Sequence, residues 1–193
     1  MLNPAETKRP WTIIAFTDNA VGMLHHITIL FTRRKVNIDS LTTSESESPG
    51  VFRYTLVVRM TRSQAEKVTN QLEKIIGVYK ATLLSEEETV FQEIALYKIP
   101  TDELTGGDHI EKLVRKHSAR ILSVHPDFLV IEKTGHKEDT QALLEDLKPY
   151  QVLEFVRSGR IAVRKPMKHL PEHLEELEEM HQDSIEEKPD PNA

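Results

Sequence analysis

Residues 11–43 read WTIIAFTDNAVGMLHHITILFTRRKVNIDSLTT, and the succession of patterns in this stretch decides the fold. Trp11 to Thr17 is short, apolar and rich in β-branched residues, the profile of a buried strand, and it stops at Asp18-Asn19. Val21, Leu24, Ile27, Thr28 and Phe31, with Leu30 beside them, then recur at helical spacing up to the basic stop Arg33-Arg34-Lys35. That spacing predicts a helix over 21–35. Val36 to Thr43 alternates toward the polar loop Ser44 to Gly50, and the clear strand Val51 to Met60 returns from it as a hairpin.

Working outward, Ser63 is placed to cap a second helix with Ala65, Val68, Leu72, Ile75 and Ile76 on its apolar face. Gly77 is suited to end it, and Val78 to Leu84 supplies a last strand. The order βαββαβ is that of the ferredoxin-like fold, helices on one face of an antiparallel sheet. The second half repeats it: strand Phe91–Ile99, helix His109–Ala119, strand Arg120–Val124, a turn at Pro126-Asp127, and strand Phe128–Glu132. After Thr134-Gly135 come helix Glu138–Leu147, stopped near Pro149, and a closing hairpin of Val152–Val156 and Ile161–Val163 around Arg157-Ser158-Gly159-Arg160. The fold class expected is α+β with two ferredoxin-like units, over residues 11–85 and 90–165. An acidic tail over 166–193 is read as partly amphipathic helix, through Leu170, Leu174 and Leu177, and partly disordered.

Composition limits what these units do. The 193 residues carry a net charge of −6, but residues 166–193 hold nine acids and two lysines, so the rest is almost neutral. Without a concentrated basic surface or a helix-turn-helix, the chain does not read as a nucleic-acid binder. It has no apolar run of the roughly 20 residues a membrane span needs. Residues 1–9 lack the apolar core of a signal peptide, so a cytoplasmic location is expected. There is no cysteine, which excludes disulfides, thiolate nucleophiles and cysteine-ligated metals.

No Gly-rich phosphate loop, Gly-x-Ser-x-Gly elbow or His-Glu-x-x-His pair is present, so no catalytic residue is assigned. His169, His173 and His181 share an i, i+4 ladder, but Leu177 takes the rung between the last two. His173 and His181 would stand about 12 Å apart on a helix, too far to share an ion. Pro171 interrupts the remaining pair, and no metal site is assigned.

Asp18-Asn19-Ala20-Val21-Gly22-Met23-Leu24, then Ile27, Leu30-Phe31 and Arg34 to Thr42, resembles the ACT-domain signature of acetolactate synthase small subunits. That pattern is acidic-Asn-x-x-Gly-apolar-Leu, then Phe, then Arg-Gly-aromatic-Asn-Ile-Glu-Ser-Leu-Thr. The likeness continues through Leu72–Val78, Glu93–Leu96, Ala119–Ile121 and Arg157–Ala162. It implies an N-terminal ACT domain and a C-terminal ACT-like domain in a regulatory subunit without catalysis of its own. The implied partners are the large catalytic subunit, a second copy of the chain and an amino-acid effector, valine first among the branched-chain candidates. Thiamine diphosphate and Mg2+, with FAD as a further candidate, are then cofactors of the catalytic partner and not of this chain. An amino-acid-responsive transcription regulator is the alternative, disfavoured by the missing DNA-binding motif.

The residues themselves suit a zwitterion. A helix start offers unpaired N–H groups and a favourable dipole to a carboxylate. Gly22 permits close approach of a ligand or neighbouring backbone, and the amides of Asn19 and Asn37 both donate and accept. Val21, Met23, Leu24 and Ile38 are candidates for an apolar wall. The resemblance aligns Asn19, Gly22 and Asn37 with effector-contacting positions where two ACT domains meet. On pattern alone Asn19 serves equally as an N-cap, Gly22 as a packing residue, Asn37 as a strand-edge residue, and Val21, Leu24 and Ile38 as core. This chain departs from the pattern at Lys35, Val36 and Asp39. A left-handed helix ending at Lys35 costs a residue with a Cβ about 1 kcal/mol, which argues for a different ending there.

Overall fold

The computed structural model describes residues 7–102 and 108–165. The chain divides into two compact units. The first contains β1 (Arg9–Asp18), α1 (Met23–Arg33), β2 (Ile38–Glu45), β3 (Val51–Met60), α2 (Arg62–Leu72) and β4 (Val78–Leu84). Its antiparallel sheet has the order β2-β3-β1-β4, so β2 and β4 are the edges. β1 pairs along its whole length with β3, from Arg9 opposite Met60 to Asp18 opposite Val51. Ile13, Leu56, Val58, Ile27, Phe31, Val68 and Leu72 are all buried, so one face of the sheet and the apolar stripes of both helices supply the core.

α1 buries Met23, Ile27 and Phe31, one residue per turn. It ends in a Schellman motif: the Val36 N–H donates to the Phe31 carbonyl and the Lys35 N–H to that of Thr32, both at 3.0 Å. Lys35 takes φ 52°, so the left-handed ending is kept despite the Cβ, contrary to the expectation from sequence. The two hydrogen bonds, and the need to turn into β2, outweigh a penalty of about 1 kcal/mol.

α2 is capped by Thr61 and not by Ser63. The Thr61 hydroxyl accepts from the Gln64 N–H at 3.3 Å, and the Gln64 side chain accepts the Thr61 N–H at 3.1 Å. This reciprocal pair fixes the N-cap two residues before Ser63. α2 stops at Leu72, leaving Ile75 and Ile76 outside it, and Ile76 is almost wholly exposed where the spacing had placed it on the apolar face. Gly77, at φ 87°, completes the exit.

The second unit contains β5 (Thr89–Pro100), α3 (His109–Lys116), β6 (Arg120–Val124), β7 (Phe128–Gly135), α4 (Lys137–Leu147), a 3-10 turn (Lys148–Tyr150), β8 (Glu154–Arg157) and β9 (Ile161–Arg164). Its path β6-β7-β5-β8 repeats the strand order of the first sheet. Ala95, Tyr97, Ile99, Leu129 and Ile131 on the strands meet Ile110, Leu143 and Leu147 on the helices in one buried cluster. The Tyr97 hydroxyl donates to the Thr140 carbonyl at 2.6 Å, and burial pushes its pKa up to about 12.

The expected closing hairpin is corrected: β8 and β9 both pair with β5. Ser158 explains the change. Its N–H donates to the Ile94 carbonyl at 2.8 Å and its hydroxyl accepts the Ile94 N–H at 2.9 Å, so the chain jogs and continues along β5. The architecture is α+β with two antiparallel sheets. Among the described residues no helix is long and apolar enough to cross a membrane. The tail expected over 166–193, including its histidines, lies outside the described residues.

Candidate functional site

β1 delivers the chain to the top of the first sheet, where Asn19, Ala20, Val21 and Gly22 form an exposed turn before α1. Gly22 is the N-cap, at φ 87°, and the helix start has neither a side-chain cap nor an acid in its first turn. Asn19 is therefore not the cap. The Met23 N–H donates to the Ala20 carbonyl at 3.2 Å, and the His26 N–H to that of Gly22 at 3.0 Å. Donors at such a helix start favour a carboxylate.

A Cβ on Gly22 would meet nothing within 4 Å, so helix–sheet packing does not demand the glycine. Its backbone does: φ 87° is left-handed, and glycine adopts it without steric cost. The turn is thus both shaped by Gly22 and open above it.

The apolar candidates separate. Met23 is 3% exposed and packs inward, whereas Val21 is fully and Leu24 43% exposed, so neither of the latter two is core. Asn37 is exposed and Ile38 half-buried. Sequence reasoning placed Ile76 on the apolar face of α2 and Asp18 at the head of the signature but made neither a candidate site residue; Ile76 is 95% exposed beside Gly77. The Asp18 N–H donates to the Gly77 carbonyl at 2.9 Å, which ties the exit of α2 to the base of the turn.

Asn37 does not join this group within one chain. Asn19 follows Asp18, which pairs with Val51, at the beginning of β3. Asn37 precedes β2, whose Asp39 accepts from the Arg59 guanidinium at 3.1 Å, near the end of β3. β3 runs ten residues between these points. At about 3.4 Å per residue, the two asparagines stand roughly 30 Å apart along the sheet. The reason is directional: α1 carries the chain back down the sheet before β2 begins. The candidate residues form two half-sites, Asn19 to Leu24 at one end and Asn37-Ile38 at the other.

Among the described residues no group of three or more His, Asp or Glu side chains is disposed to hold a metal. The chemistry within reach of the upper turn is binding: backbone donors, one amide and exposed aliphatic side chains.

Comparison with known proteins agrees with this picture. Residues 13–80 match the family model for the AHAS small subunit-like ACT domain, and residues 92–166 match that for the small subunit of acetolactate synthase. The acetolactate synthase small subunit of Mycolicibacterium smegmatis is 36% identical over 154 residues, 80% of this chain and 90% of that one. The chain belongs to the acetolactate synthase small subunits. It is therefore a non-catalytic regulatory subunit, acting on branched-chain amino acid biosynthesis with a large subunit as its partner. The Bacillus subtilis small subunit is 37% identical over 145 residues, 75% of this small subunit and 84% of that one. The crystal structure of the small subunit from Thermotoga maritima superimposes with a TM-score of 0.75 at 30% identity, covering 83% of this small subunit and 99% of that chain. Residues 167–193 lie beyond the segment matched to the family model.

Proposed function

We propose that this small subunit raises the activity of the large catalytic subunit and makes it sensitive to feedback by a branched-chain amino acid, valine, bound by the first units of two copies. The observation that carries the reading is the separation of the half-sites by the length of a ten-residue strand. An amino acid a few ångströms long cannot touch Asn19 and Asn37 of one chain. Two copies related by a twofold axis bring the upper end of one sheet to the lower end of the other, so each of two equivalent sites takes Asn19 to Leu24 from one chain and Asn37-Ile38 from its partner. The effector carboxylate sits at the start of α1, the two amides orient the zwitterion, and Val21, Leu24 and Ile38 flank its side chain.

Domain 11–85 is the sensor in this reading, and 90–165 and the tail complete the subunit. Thiamine diphosphate, Mg2+ and any FAD stay with the catalytic partner, in the cytoplasm. Effector binding shifts the assembly between two arrangements, a coupling of about 1–3 kcal/mol.

The test is acetolactate formation by the large subunit alone, with this small subunit, and with this small subunit plus millimolar valine. Stimulation reversed by valine is expected. Asn19→Ala and Asn37→Ala are each expected to weaken inhibition, and a mixture of the two variants to recover part of it, because one of the two sites in a mixed pair is intact. Full inhibition of both variants would remove the proposed site. No recovery on mixing would remove its division between chains.

A further inference from the structure

Asp18 is the sole acidic residue between positions 7 and 38, and it stands at the base of the upper turn, one residue before Asn19. Its Oδ1 is buried and has no hydrogen-bond partner. The carboxylate lies against the backbone of Gly77: a Cβ built there would be 2.6 Å from Oδ1, 2.8 Å from Oδ2 and 2.7 Å from the methyl of Met23. The same contacts put the carboxylate beside the first residue of α1. A carboxylate is an acceptor for up to about four hydrogen bonds, and an oxygen of it withdrawn from water without a donor is poorly satisfied, although Asp18 as a whole is only half-buried. The glycine makes the arrangement possible, since any side chain at position 77 would occupy the space the carboxylate takes.

We infer that Asp18 is the acceptor for the effector's ammonium group, and that through it this small subunit distinguishes an α-amino acid from the 2-oxo acid of the same side chain. The inference rests on the effector reading above and deepens it. Valine and its 2-oxo analogue, 3-methyl-2-oxobutanoate, share the carboxylate and the isopropyl group, so the start of α1 and an aliphatic wall treat them alike. Neutral amides such as those of Asn19 and Asn37 bond to either an ammonium or a ketone oxygen, because each amide both donates and accepts. A carboxylate does not: it attracts the ammonium through a charge-assisted bond and repels the lone pairs of the ketone. A fixed, donor-poor acid at the turn converts a general receptor for branched carboxylates into one that requires the amino group.

The experiment is calorimetric titration of the full chain with L-valine and with 3-methyl-2-oxobutanoate, on the wild type, Asp18→Asn and Asn19→Ala. The wild type is expected to bind valine at least about tenfold tighter than the oxo acid. In Asp18→Asn the valine affinity should fall by a similar factor while the oxo acid holds or gains, so that the ratio approaches one. A merely structural role for Asp18 would weaken both ligands together and leave the ratio in place, which overturns the inference. Equal binding of both ligands by the wild type overturns it without any variant, even if Asp18→Asn does not fold. If Asn19→Ala abolishes valine binding while Asp18→Asn retains both affinity and ratio, the effector site stands and the role of Asp18 falls. Absence of binding of either ligand to the wild type removes the effector reading itself.

Discussion

The two units share one strand order but differ where their first helices begin. α1 opens at Gly22 with no acid in its first turn, and α3 opens at Asp108 with Glu111 in the corresponding turn. An acid there already complements the positive end of a helix, so α3 has little left to offer an external carboxylate. The same topology therefore leaves one helix start without an acid in its first turn and gives the other one. Their first helices end alike, with Lys35 at φ 52° and Ser118 at φ 50° each taking the left-handed position after the cap. In α3 the Ala119 N–H donates to the Val114 carbonyl at 2.8 Å and the Ser118 N–H to that of Arg115 at 3.1 Å. The starts differ, and the exits are held by the geometry of returning to a sheet.

The largest effect on this comparison is expected from Gly77→Ala, which combines a positive φ with contacts under 3.0 Å to Asp18 and Met23. It should cost the first unit about 3 kcal/mol in urea unfolding, with the cooperative loss visible at the lone tryptophan, Trp11. In the second unit, Tyr97→Phe removes the buried hydroxyl bond to the Thr140 carbonyl and should cost about 1.5 kcal/mol. The wild type carries a pH signature that the variant lacks. A tyrosine whose pKa is raised to about 12 contributes its stability below the unfolded value near 10 and loses it as pH climbs through 12, so only the wild-type melting temperature should show this alkaline decline.

Lys35→Gly and Ser118→Gly should each gain about 1 kcal/mol or slightly less, and their thermal shifts should add because they act in different units. The smallest stability change is the one that bears most directly on the contrast. His25→Glu places an acid at the third residue of α1, the position Glu111 holds in α3. The helix should gain roughly 0.5 kcal/mol from its dipole while valine binding weakens severalfold. A variant that binds valine as the wild type does would show that the helix start is not where the carboxylate sits.

Much of the fold was legible because apolar periods of two and three and a half residues are local properties. β3, β4 and β6 run over the spans their alternation predicted. The misjudged details are those where hydrogen bonding or tertiary pairing overrules a period. Thr61 caps α2 because its reciprocal bond with Gln64 forms before Ser63 is reached, and Ile76 leaves the helix because Gly77 turns the chain out. β9 pairs with β5 because Ser158 bonds Ile94, a partner 64 residues away. The candidate site was legible as a set of residues and not as a place. Spacing reveals that Asn19 and Asn37 flank a helix, but not that the helix reverses the chain between them. Asp18 was illegible for a related reason, since its missing partner depends on Gly77, which reaches it only through folding.

The strand-length separation of the half-sites has one more consequence. If each site is completed by a neighbour, effector and neighbour are linked ligands, and occupancy depends on protein concentration as well as on valine. Diluting the subunit would then lower its apparent affinity with no change in any contact, and adding effector would draw chains together. A sensor built this way would read two quantities at once: how much end product is present, and how much of the sensor itself has been made.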